Sequence, residues 1–345
     1  MVMDDAAKLA ALPKAELHLH LEGSIQPGTA VELAARHGQE LILEEVRQRY
    51  QYSDFHGFLE AYKWVTSLLR TPADYALVTE RLAEELIQQN VVYAEVTISA
   101  GVMLWRNQDA HANLLAIHEA GEQARRRGVR LQWIPDATRQ FGAAAAMDVA
   151  QLAVEAKSIG AVAFGMGGDE LSIPAEQFHE AYEYAASQGL HRVVHAGEIG
   201  GPEEVRAAVE LLGAERIGHG IAAMHDASLT DSLIAREIPL EICPTSNLRT
   251  GSLARQLGKT DASLEEHPIV LLARRGVAVA LSTDDPPMFH TSLNEEYELG
   301  LRLGLRATEM AAIAENSFRH AFLAETEKQG LLAQFREKRA VLGLV

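Results

Sequence analysis

Two histidines stand one residue apart in the stretch LHLHLEGS, which covers residues 17–24. His18 and His20 interrupt an apolar run, where an imidazole without a partner is costly to bury. Side chains at positions i and i+2 of a β-strand point to the same side, so both rings are expected to face one direction. Neutral imidazole is a good zinc ligand, and a metal ion would satisfy both rings within an apolar strand.

Three later motifs place further chemically active side chains after short apolar runs. HAGE contains His195 and Glu198, IGHG contains His219, and STDDPP contains Asp284 and Asp285. Each motif stands where a candidate strand passes into a loop. In a (β/α)8 barrel the carboxyl ends of all strands lie on one face, and that face carries the active site. Side chains far apart in the sequence are therefore expected to meet in one pocket.

One group of these side chains is rich in nitrogen donors, which suits zinc: His18, His20, His195 and Asp284. A catalytic zinc ion keeps one position open for water, lowers the pKa of that water to about 7 and so supplies a hydroxide nucleophile. Glu198 and His219 then remain as groups that can move a proton. Taken singly, each motif also suits an ordinary loop or turn, but their occurrence after several different strands favours a catalytic site.

The elements that would position these groups alternate regularly along the chain. Short apolar runs are separated by Ala-, Glu- and Leu-rich stretches of helical period. The candidate strands cover residues 15–20, 91–99, 130–137, 161–167, 191–196, 215–219, 238–243 and 277–283. Alternating strands and helices predict a parallel α/β sheet, and this number of units predicts a (β/α)8 TIM barrel. An open doubly wound sheet is disfavoured because no Gly-rich dinucleotide fingerprint is present.

The first two candidate strands are separated by a long segment, residues 21–90. It predicts extra helices inserted after strand 1, over one mouth of the barrel. We find no internal repeat, low-complexity tract or linker in the sequence. The whole chain, residues 1–345, is therefore expected to form one domain of the size that a single barrel requires.

The composition excludes several classes of protein and partner. The net charge of −17 argues against nucleic acid and anionic membranes as partners, because like charges repel. The single cysteine, Cys243, excludes an internal disulfide framework and a Cys-based zinc site. No stretch approaches the roughly 20 apolar residues of a membrane helix, and residues 1–12 lack the pattern of a signal peptide. We expect a cytoplasmic protein and leave its oligomeric state open.

The motifs together resemble the adenosine deaminase family of metal-dependent hydrolases. The matching stretches keep the family's order and spacing: PKAELHLHLEGS, GGDE, HAGE, IGHG, CPTSN and STDDP. The resemblance implies one zinc ion per chain, bound by His18, His20, His195 and Asp284. It also implies a purine as the substrate, a small molecule whose 6-amino group is replaced by oxygen with release of ammonia.

The same resemblance implies roles for the remaining site residues. Glu198 would protonate the purine at N1, and His219 would orient and activate the water. Asp285 would bond to N7, and the backbone of Gly168 would contact N3. Residues 55–69 would belong to a substrate lid, in which Phe58, Tyr62 and Val65 share one helical face.

The resemblance also points to a nucleoside as the substrate. Adenine-specific relatives tend to read SSE where this chain reads GGDE, and IDHG where it reads IGHG. The acid that would reach the ribose 5′ end is Glu22, where vertebrate-type adenosine deaminases usually have Asp. Adenosine itself therefore remains a candidate, and its 5′-hydroxyl could donate a hydrogen bond to Glu22.

Three stretches, WVTSLL, SAGVMLWR and ATRQFG, resemble a bacterial branch that acts on 6-aminodeoxyfutalosine. This menaquinone precursor is an adenine nucleoside with a carboxyphenyl ketone at its 5′ end. Arg106, Arg139 or Lys63 could pair with that carboxylate.

Other functions stay open at this point. Adenine deaminase is one alternative, and a different mononuclear amidohydrolase is another. Amidohydrolases with two metal ions commonly need a bridging lysine after strand 4, and residues 161–168 contain none. A binding protein without activity would usually have lost Glu198 or a metal ligand, and all of these residues are present.

Overall fold

Eight parallel strands follow one another around a barrel in chain order. The structure is a computed structural model that describes residues 3–345. The strands are β1 (Lys14–His20), β2 (Val91–Ile98), β3 (Arg130–Thr138), β4 (Ala163–Gly167), β5 (His191–Ala196), β6 (Arg216–His219), β7 (Leu240–Ile242) and β8 (Val279–Leu281). With helices in the connections, this arrangement confirms the predicted (β/α)8 barrel.

The α-helices occupy most of the remaining chain. They are α1 (Asp5–Ala10), α2 (Pro27–Arg36), α3 (Leu43–Arg49), α4 (Phe55–Thr66), α5 (Pro72–Gln88), α6 (Ala100–Trp105), α7 (Ala110–Arg126), α8 (Gly142–Glu155), α9 (His179–Ser187), α10 (Pro202–Glu210), α11 (Ala227–Ala235), α12 (Pro244–Arg249), α13 (Ser252–Gln256), α14 (Ile269–Arg275), α15 (Pro286–Phe289), α16 (Leu293–Arg302), α17 (Ala307–Arg319) and α18 (Glu325–Val341). Helices α2 to α5 lie between β1 and β2, as the long gap in the pattern predicted. Within residues 3–345 no helix combines the length and apolar character that crossing a membrane requires.

The last two strands are at most half as long as the apolar runs predicted. The run at 238–243 forms only the three residues of β7, and the run at 277–283 only the three of β8. Pro239 has no N–H to donate at the start of β7, and α12 begins at Pro244 directly after its end. The apolar runs therefore mark where the strands lie, while proline and the following helix set their ends.

The barrel closes through residues of the candidate site itself. The N–H of His20 donates to the carbonyl oxygen of Asp284 at 2.9 Å, and the N–H of Asp284 donates to the carbonyl oxygen of His18 at 3.1 Å. These two bonds join the end of β1 to the residues that follow β8. The backbone that closes the barrel thus fixes three of the predicted metal-ligating residues relative to one another.

A chain of charged side chains runs through the inside of the barrel. The Arg216 guanidinium lies 2.6 Å from Glu95 Oε2 and donates from Nε to Glu241 Oε1 at 2.5 Å. The other oxygen of Glu241 lies 2.8 Å from His18 Nδ1. All of these side chains are buried. Buried charged groups have no water to solvate them and must pair with one another. Loss of any one of these side chains would therefore leave a neighbour unpaired.

Helix α4 forms part of the cover over the carboxyl ends of the strands. Asp54 caps its start by accepting a hydrogen bond from the N–H of Gly57 at 2.8 Å. Phe58 and Tyr62 face the space above the barrel, and Tyr62 bonds to Ser99 Oγ at 2.9 Å. Tyr62, which faces the site, therefore also anchors the helix to the segment after β2.

We expect loss of Arg216 to destabilise the fold severely. Arg216→Met should lower the free energy of unfolding by about 3–5 kcal/mol, because it leaves the buried carboxylates of Glu95 and Glu241 unpaired. Arg274→Met, which removes an exposed pair with Glu309, is the matched control and should change stability far less. Urea unfolding followed by circular dichroism measures both variants. Equal free energies of unfolding for the two variants would show that the buried ion pairs of Arg216 do not stabilise the fold.

Candidate active site

A cavity of about 470 Å³ opens at the carboxyl ends of the strands. Side chains from all four sequence motifs line its floor, with His18 buried next to them, and α4 forms one of its walls. This volume lies in the range of cavities that bind small organic molecules. The motifs therefore converge on one place, as the barrel geometry required.

Histidine rings crowd the floor of this cavity. The centroid of the His18 ring lies 5.3 Å from that of His20, 4.5 Å from that of His195 and 4.9 Å from that of His219. The carboxylate of Asp284 lies among them, with Oδ1 2.8 Å from His20 Nδ1 and 3.5 Å from His18 Nε2. Such crowding of buried imidazoles around one carboxylate is unusual in a protein core.

The hydrogen bonds on the far side of the rings show which nitrogens face the cavity. His18 Nδ1 lies 2.8 Å from Glu241 Oε2, and His195 Nδ1 lies 3.2 Å from the carbonyl oxygen of Met166. An oxygen that only accepts must receive a proton from each ring, so the lone pair of each neutral ring lies on Nε2. Both lone pairs are therefore available to a ligand on the cavity side.

Two buried imidazole nitrogens of the floor remain without a hydrogen-bond partner. His18 Nε2 and His20 Nδ1 have none within residues 3–345, although both lie close to Asp284. Ligand atoms of His18, His195, His219 and Asp284 all lie within 4.8 Å of one another, and His20 with Asp284 and Asp285 forms a second, overlapping group. Nitrogen and carboxylate donors at this spacing fit a divalent transition-metal ion. The structure brings together every predicted ligand, and it also places His219 beside them.

Two residues of the floor have strained backbones. His219 and Asp284 have φ angles of 60° and 68°, in the left-handed region that residues other than glycine seldom adopt. His219 is the last residue of β6, and Asp284 lies three residues after the end of β8. Ser246 Oγ donates to Asp284 Oδ2 at 2.6 Å and so helps to hold that carboxylate. Strain of this kind persists where the surroundings fix a side chain for its chemistry.

Burial tunes the protonation of Glu198. Its carboxyl group faces the cavity, and burial together with the negative charges of Asp284 and Glu170 raises its pKa well above the ordinary value. His219 Nε2 lies 3.7 Å from Glu198 Oε2, and burial lowers the pKa of His219 to about 3. Glu198 is therefore suited to carry a proton at neutral pH beside a neutral imidazole.

Glu170 holds the loop that carries Glu198. Its carboxylate accepts hydrogen bonds from the backbone N–H groups of Gly197, Glu198, Ile199 and Gly200, three of them at 2.8 to 3.2 Å. Glu170 ends the GGDE stretch but was not predicted to have a role. Its place in that stretch was the available signal, although the sequence could not show that the loop after β5 would wrap around its carboxylate.

The residues predicted to bind the purine lie on the cavity wall. Gly168 has a φ of 95°, and a Cβ there would lie 2.4 Å from Gln140 Oε1, so only glycine fits. Asp285 lines the same cavity. Burial and the neighbouring charge of Asp284 raise the pKa of Asp285 to about 7. A Cβ on Gly23 would overlap the Asp285 carboxylate, so this glycine makes the room that Asp285 needs.

Glu22 lies behind the wall and outside the open surface of the cavity. It is buried, and its Oε1 accepts a hydrogen bond from the N–H of Ser99 at 3.1 Å. Its Oε2 has no hydrogen-bond partner within residues 3–345. Ser99 Oγ also bonds to Tyr62, so Ser99 links Glu22 to the α4 wall of the cavity.

The three candidate cations have different positions. Arg139 was one of three candidates to pair with a substrate carboxylate, but its guanidinium is buried away from the cavity and donates to the carbonyl oxygens of Glu170, Ile173 and His195. That expectation is wrong, because these carbonyls draw the side chain behind the site. Arg106 and Lys63 both lie at the rim of the cavity.

The predicted lid helix lines the cavity with two of its three named side chains. Phe58 and Tyr62 line the cavity, and their rings lie 5.8 Å apart. Val65 instead packs in the core and does not line the cavity.

Comparison with known proteins identifies the family of this chain. Residues 13–338 match the family model described as Adenosine deaminase. The chain belongs to the adenosine deaminase family. It is therefore a hydrolase that deaminates a cyclic amidine, in a family of metal-dependent enzymes, and its His/Asp cluster is the candidate metal site.

Individual relatives of this deaminase extend the comparison. The aminodeoxyfutalosine deaminase of Streptomyces avermitilis is 39% identical over 333 residues, which cover 94% of this chain and 91% of that protein. The adenine deaminase of Rhizobium leguminosarum is 33% identical over 325 residues, covering 94% and 98%. The crystal structure of adenine deaminase from Arthrobacter aurescens has a TM-score of 0.88 and 30% identity, covering 95% of this chain and 99% of that one.

We expect the floor histidines to be needed for metal binding. His18→Ala should abolish bound metal, because it removes a lone pair that no neighbouring group replaces. His111→Ala, which removes an exposed ring paired with Glu155, is the matched control and should keep the metal. Elemental analysis of both purified variants measures the metal content. A metal-loaded His18→Ala protein would contradict the assignment.

Proposed function

We propose that this deaminase uses one zinc ion per chain to deaminate a 6-aminopurine nucleoside, and that 6-aminodeoxyfutalosine is its preferred substrate. The observation that carries the proposal is the cavity, which joins the His/Asp floor to a rim that contains an exposed tryptophan and two cations. Aminodeoxyfutalosine deaminase from Streptomyces avermitilis is similar to this chain over most of both sequences. The proposal combines this similarity with the chemistry of the rim.

Zinc is the metal that the donor set favours. The proposed ligands are His18, His20, His195 and Asp284. Donor atoms of His18, His195 and Asp284 lie within 4.8 Å of one another, and His20 Nδ1 lies 2.8 Å from Asp284 Oδ1. When bound there, zinc would supply a Lewis acid that makes water nucleophilic at neutral pH. Asp284 is suited to this role, because contacts with His18 and His20 overcome the effect of burial and hold its pKa well below its ordinary value.

Two carboxylic acids would recognise and activate the purine ring. The ring nitrogens N1 and N7 accept hydrogen bonds, so each needs a donor on the protein. Glu198, whose pKa is raised by burial, would donate a proton to N1 and make C6 electrophilic. Asp285, whose pKa of about 7 also reflects burial, would donate to N7, and the backbone N–H of Gly168 would donate to N3.

The 5′ side of the nucleoside would extend toward the rim. Trp105 is 59% exposed and stacks on Phe141, with 5.6 Å between ring centroids and 20° between ring planes. Lys63 and Arg106 line the cavity beside it. A flat aromatic group with a carboxylate matches both features, because it can lie against the indole and pair with a cation.

Arg106 has a second role at this rim. Its guanidinium donates to the carbonyl oxygens of Thr66 and Lys63 and to Thr66 Oγ1, so it holds the end of α4. Lys63 is exposed, and its ammonium group lies 3.7 Å from Glu60 Oε1. We therefore propose that Lys63 is the freer cation for a substrate carboxylate and that Arg106 mainly fixes the wall.

Adenine deaminase is the second candidate, favoured by the adenine deaminases among the similar proteins. Free adenine would leave the rim unused, and its binding energy could then not contribute to catalysis at C6. The single-domain organisation of residues 1–345 and the cytoplasmic location stay predictions. The oligomeric state stays open.

We expect Glu198 to be essential for turnover. Glu198→Gln should retain zinc and fold but lower kcat by at least roughly 10²–10⁴-fold, because the amide cannot deliver a proton to N1. Glu203→Gln, an exposed change on α10, serves as the control and should leave kcat unchanged. Steady-state ammonia release provides the measurement. Normal turnover by Glu198→Gln would remove Glu198 from the mechanism.

We expect the 5′ carboxylate to be recognised at the rim. The wild-type enzyme should have a higher kcat/KM for 6-aminodeoxyfutalosine than for adenosine, and adenosine should exceed free adenine. Lys63→Met should lower kcat/KM for 6-aminodeoxyfutalosine by no more than roughly tenfold, since an exposed ion pair contributes at most about 1 kcal/mol, and should leave adenosine unaffected.

An analogue of 6-aminodeoxyfutalosine without the carboxylate is the control substrate, and it should not respond to Lys63→Met. Arg106→Met should impair every substrate, because it releases α4. A wild-type preference for free adenine would refute the nucleoside assignment. A preference for adenosine that Lys63→Met leaves unchanged would refute the 5′-extended substrate alone.

A further inference from the structure

A chain of hydrogen bonds leads from the start of α14 to the cavity floor through two side chains that the proposed function does not use. It begins at His267, which precedes α14 and is buried. The backbone N–H of Ile269 donates to His267 Nδ1 at 3.2 Å. Burial lowers the pKa of His267 to about 3, so the ring is neutral. Its single proton must therefore lie on Nε2.

This proton sets the orientation of Asn247 on α12. His267 Nε2 lies 3.2 Å from Asn247 Oδ1, and an N–H can be accepted only by the carbonyl end of the amide. The amide nitrogen consequently points the other way, where it also lies 3.3 Å from Ser252 Oγ. The buried amide thus has one orientation that satisfies both of its ends.

The amide nitrogen of Asn247 in turn meets the ring of His219. Asn247 Nδ2 lies 3.1 Å from His219 Nδ1, and it can only donate to that atom. The lone pair of His219 is therefore on Nδ1 and its proton on Nε2. This Nε2 faces the cavity, 3.7 Å from Glu198 Oε2 and 3.8 Å from Asp284 Oδ2.

His219 thus has the opposite tautomer from two of the other floor histidines. His18 and His195 donate from Nδ1 to Glu241 and to the Met166 carbonyl oxygen, which leaves their Nε2 atoms free to bind a metal ion. His219 accepts at Nδ1 and presents an N–H to the same space. Distance alone groups His219 with the metal-ligating side chains, but its tautomer separates it from them.

We propose that Asn247 and His267 are positioning residues that hold His219 as an Nε2–H hydrogen-bond donor. In this state His219 cannot bind metal through Nε2 and cannot accept a proton there. It donates instead to the oxygen that adds to C6, where negative charge develops. The catalytic role of the His219 Nε2–H rests on the proposed function, whereas the tautomer of His219 does not.

The tautomer can be observed directly in the zinc-loaded enzyme without substrate. Protein labelled with ¹⁵N at histidine gives two nitrogen signals per ring, and His219→Gln identifies the pair that belongs to His219. We expect a protonated Nε2 and an unprotonated Nδ1. A proton on Nδ1 would overturn the proposal whatever the substrate proves to be, whereas the expected spectrum with no deaminase activity would refute only the proposed function.

Variants of His267 test the relay through catalysis. His267→Phe removes the donor to Asn247 Oδ1 and should lower kcat by roughly 10²-fold, the effect of losing one preorganised donor, with KM and zinc content nearly unchanged. His267→Gln keeps an amide N–H at that position and should restore most of the rate. The thermal unfolding temperature of each variant shows whether it is folded.

Turnover of His267→Phe at the wild-type rate would overturn the proposal. A His267→Gln variant no faster than His267→Phe would also overturn it. If His267→Phe does not fold, the spectrum of the wild-type enzyme still decides the tautomer. Retention of zinc in His267→Phe would also support a ligand set without His219, and loss of zinc would contradict it.

Discussion

Burial of several imidazoles and carboxylates at one end of an apolar barrel is the constraint on which the site depends. Each group loses its water and must find a partner, a metal ion or a neutral state. Glu241 and the Arg216 guanidinium behind it hold His18, and a backbone carbonyl holds His195. Hydrogen bonds from Ser246 and Asn247 hold Asp284 and His219, respectively. The surroundings of the site are therefore as specific as the groups that face the cavity.

The same burial gives chemically similar groups opposite properties. Asp284 lies among histidines, which keep it ionised, whereas the adjacent Asp285 and the nearby Glu198 have raised pKa values. One carboxylate can thus bind a cation while two others carry protons for a purine ring. The histidines divide in a similar way, because their partners on the far side place the proton on different nitrogens.

Much of this arrangement could be predicted from the sequence. The period of the apolar runs gave the barrel, and the motifs at their ends gave the residues of the floor. Asn247 ends the quoted CPTSN stretch but was assigned no role, and Glu241 and His267 stand in none of the quoted motifs. A residue that acts only on a site residue needs no motif of its own. Arg139 was placed at the correct end of β3, but spacing along a chain does not encode which carbonyls a long side chain will reach.

Anomalous diffraction at the zinc absorption edge would locate the metal ion relative to the floor histidines. In crystals of the purified enzyme, the account predicts one strong peak per chain, about 2.0–2.2 Å from donor atoms of the four proposed ligands: His18, His20, His195 and Asp284. His219 Nε2 should lie beyond bonding distance of that peak. The absence of a peak at the floor, or a peak with His219 as a ligand in place of one of the four, would contradict the account.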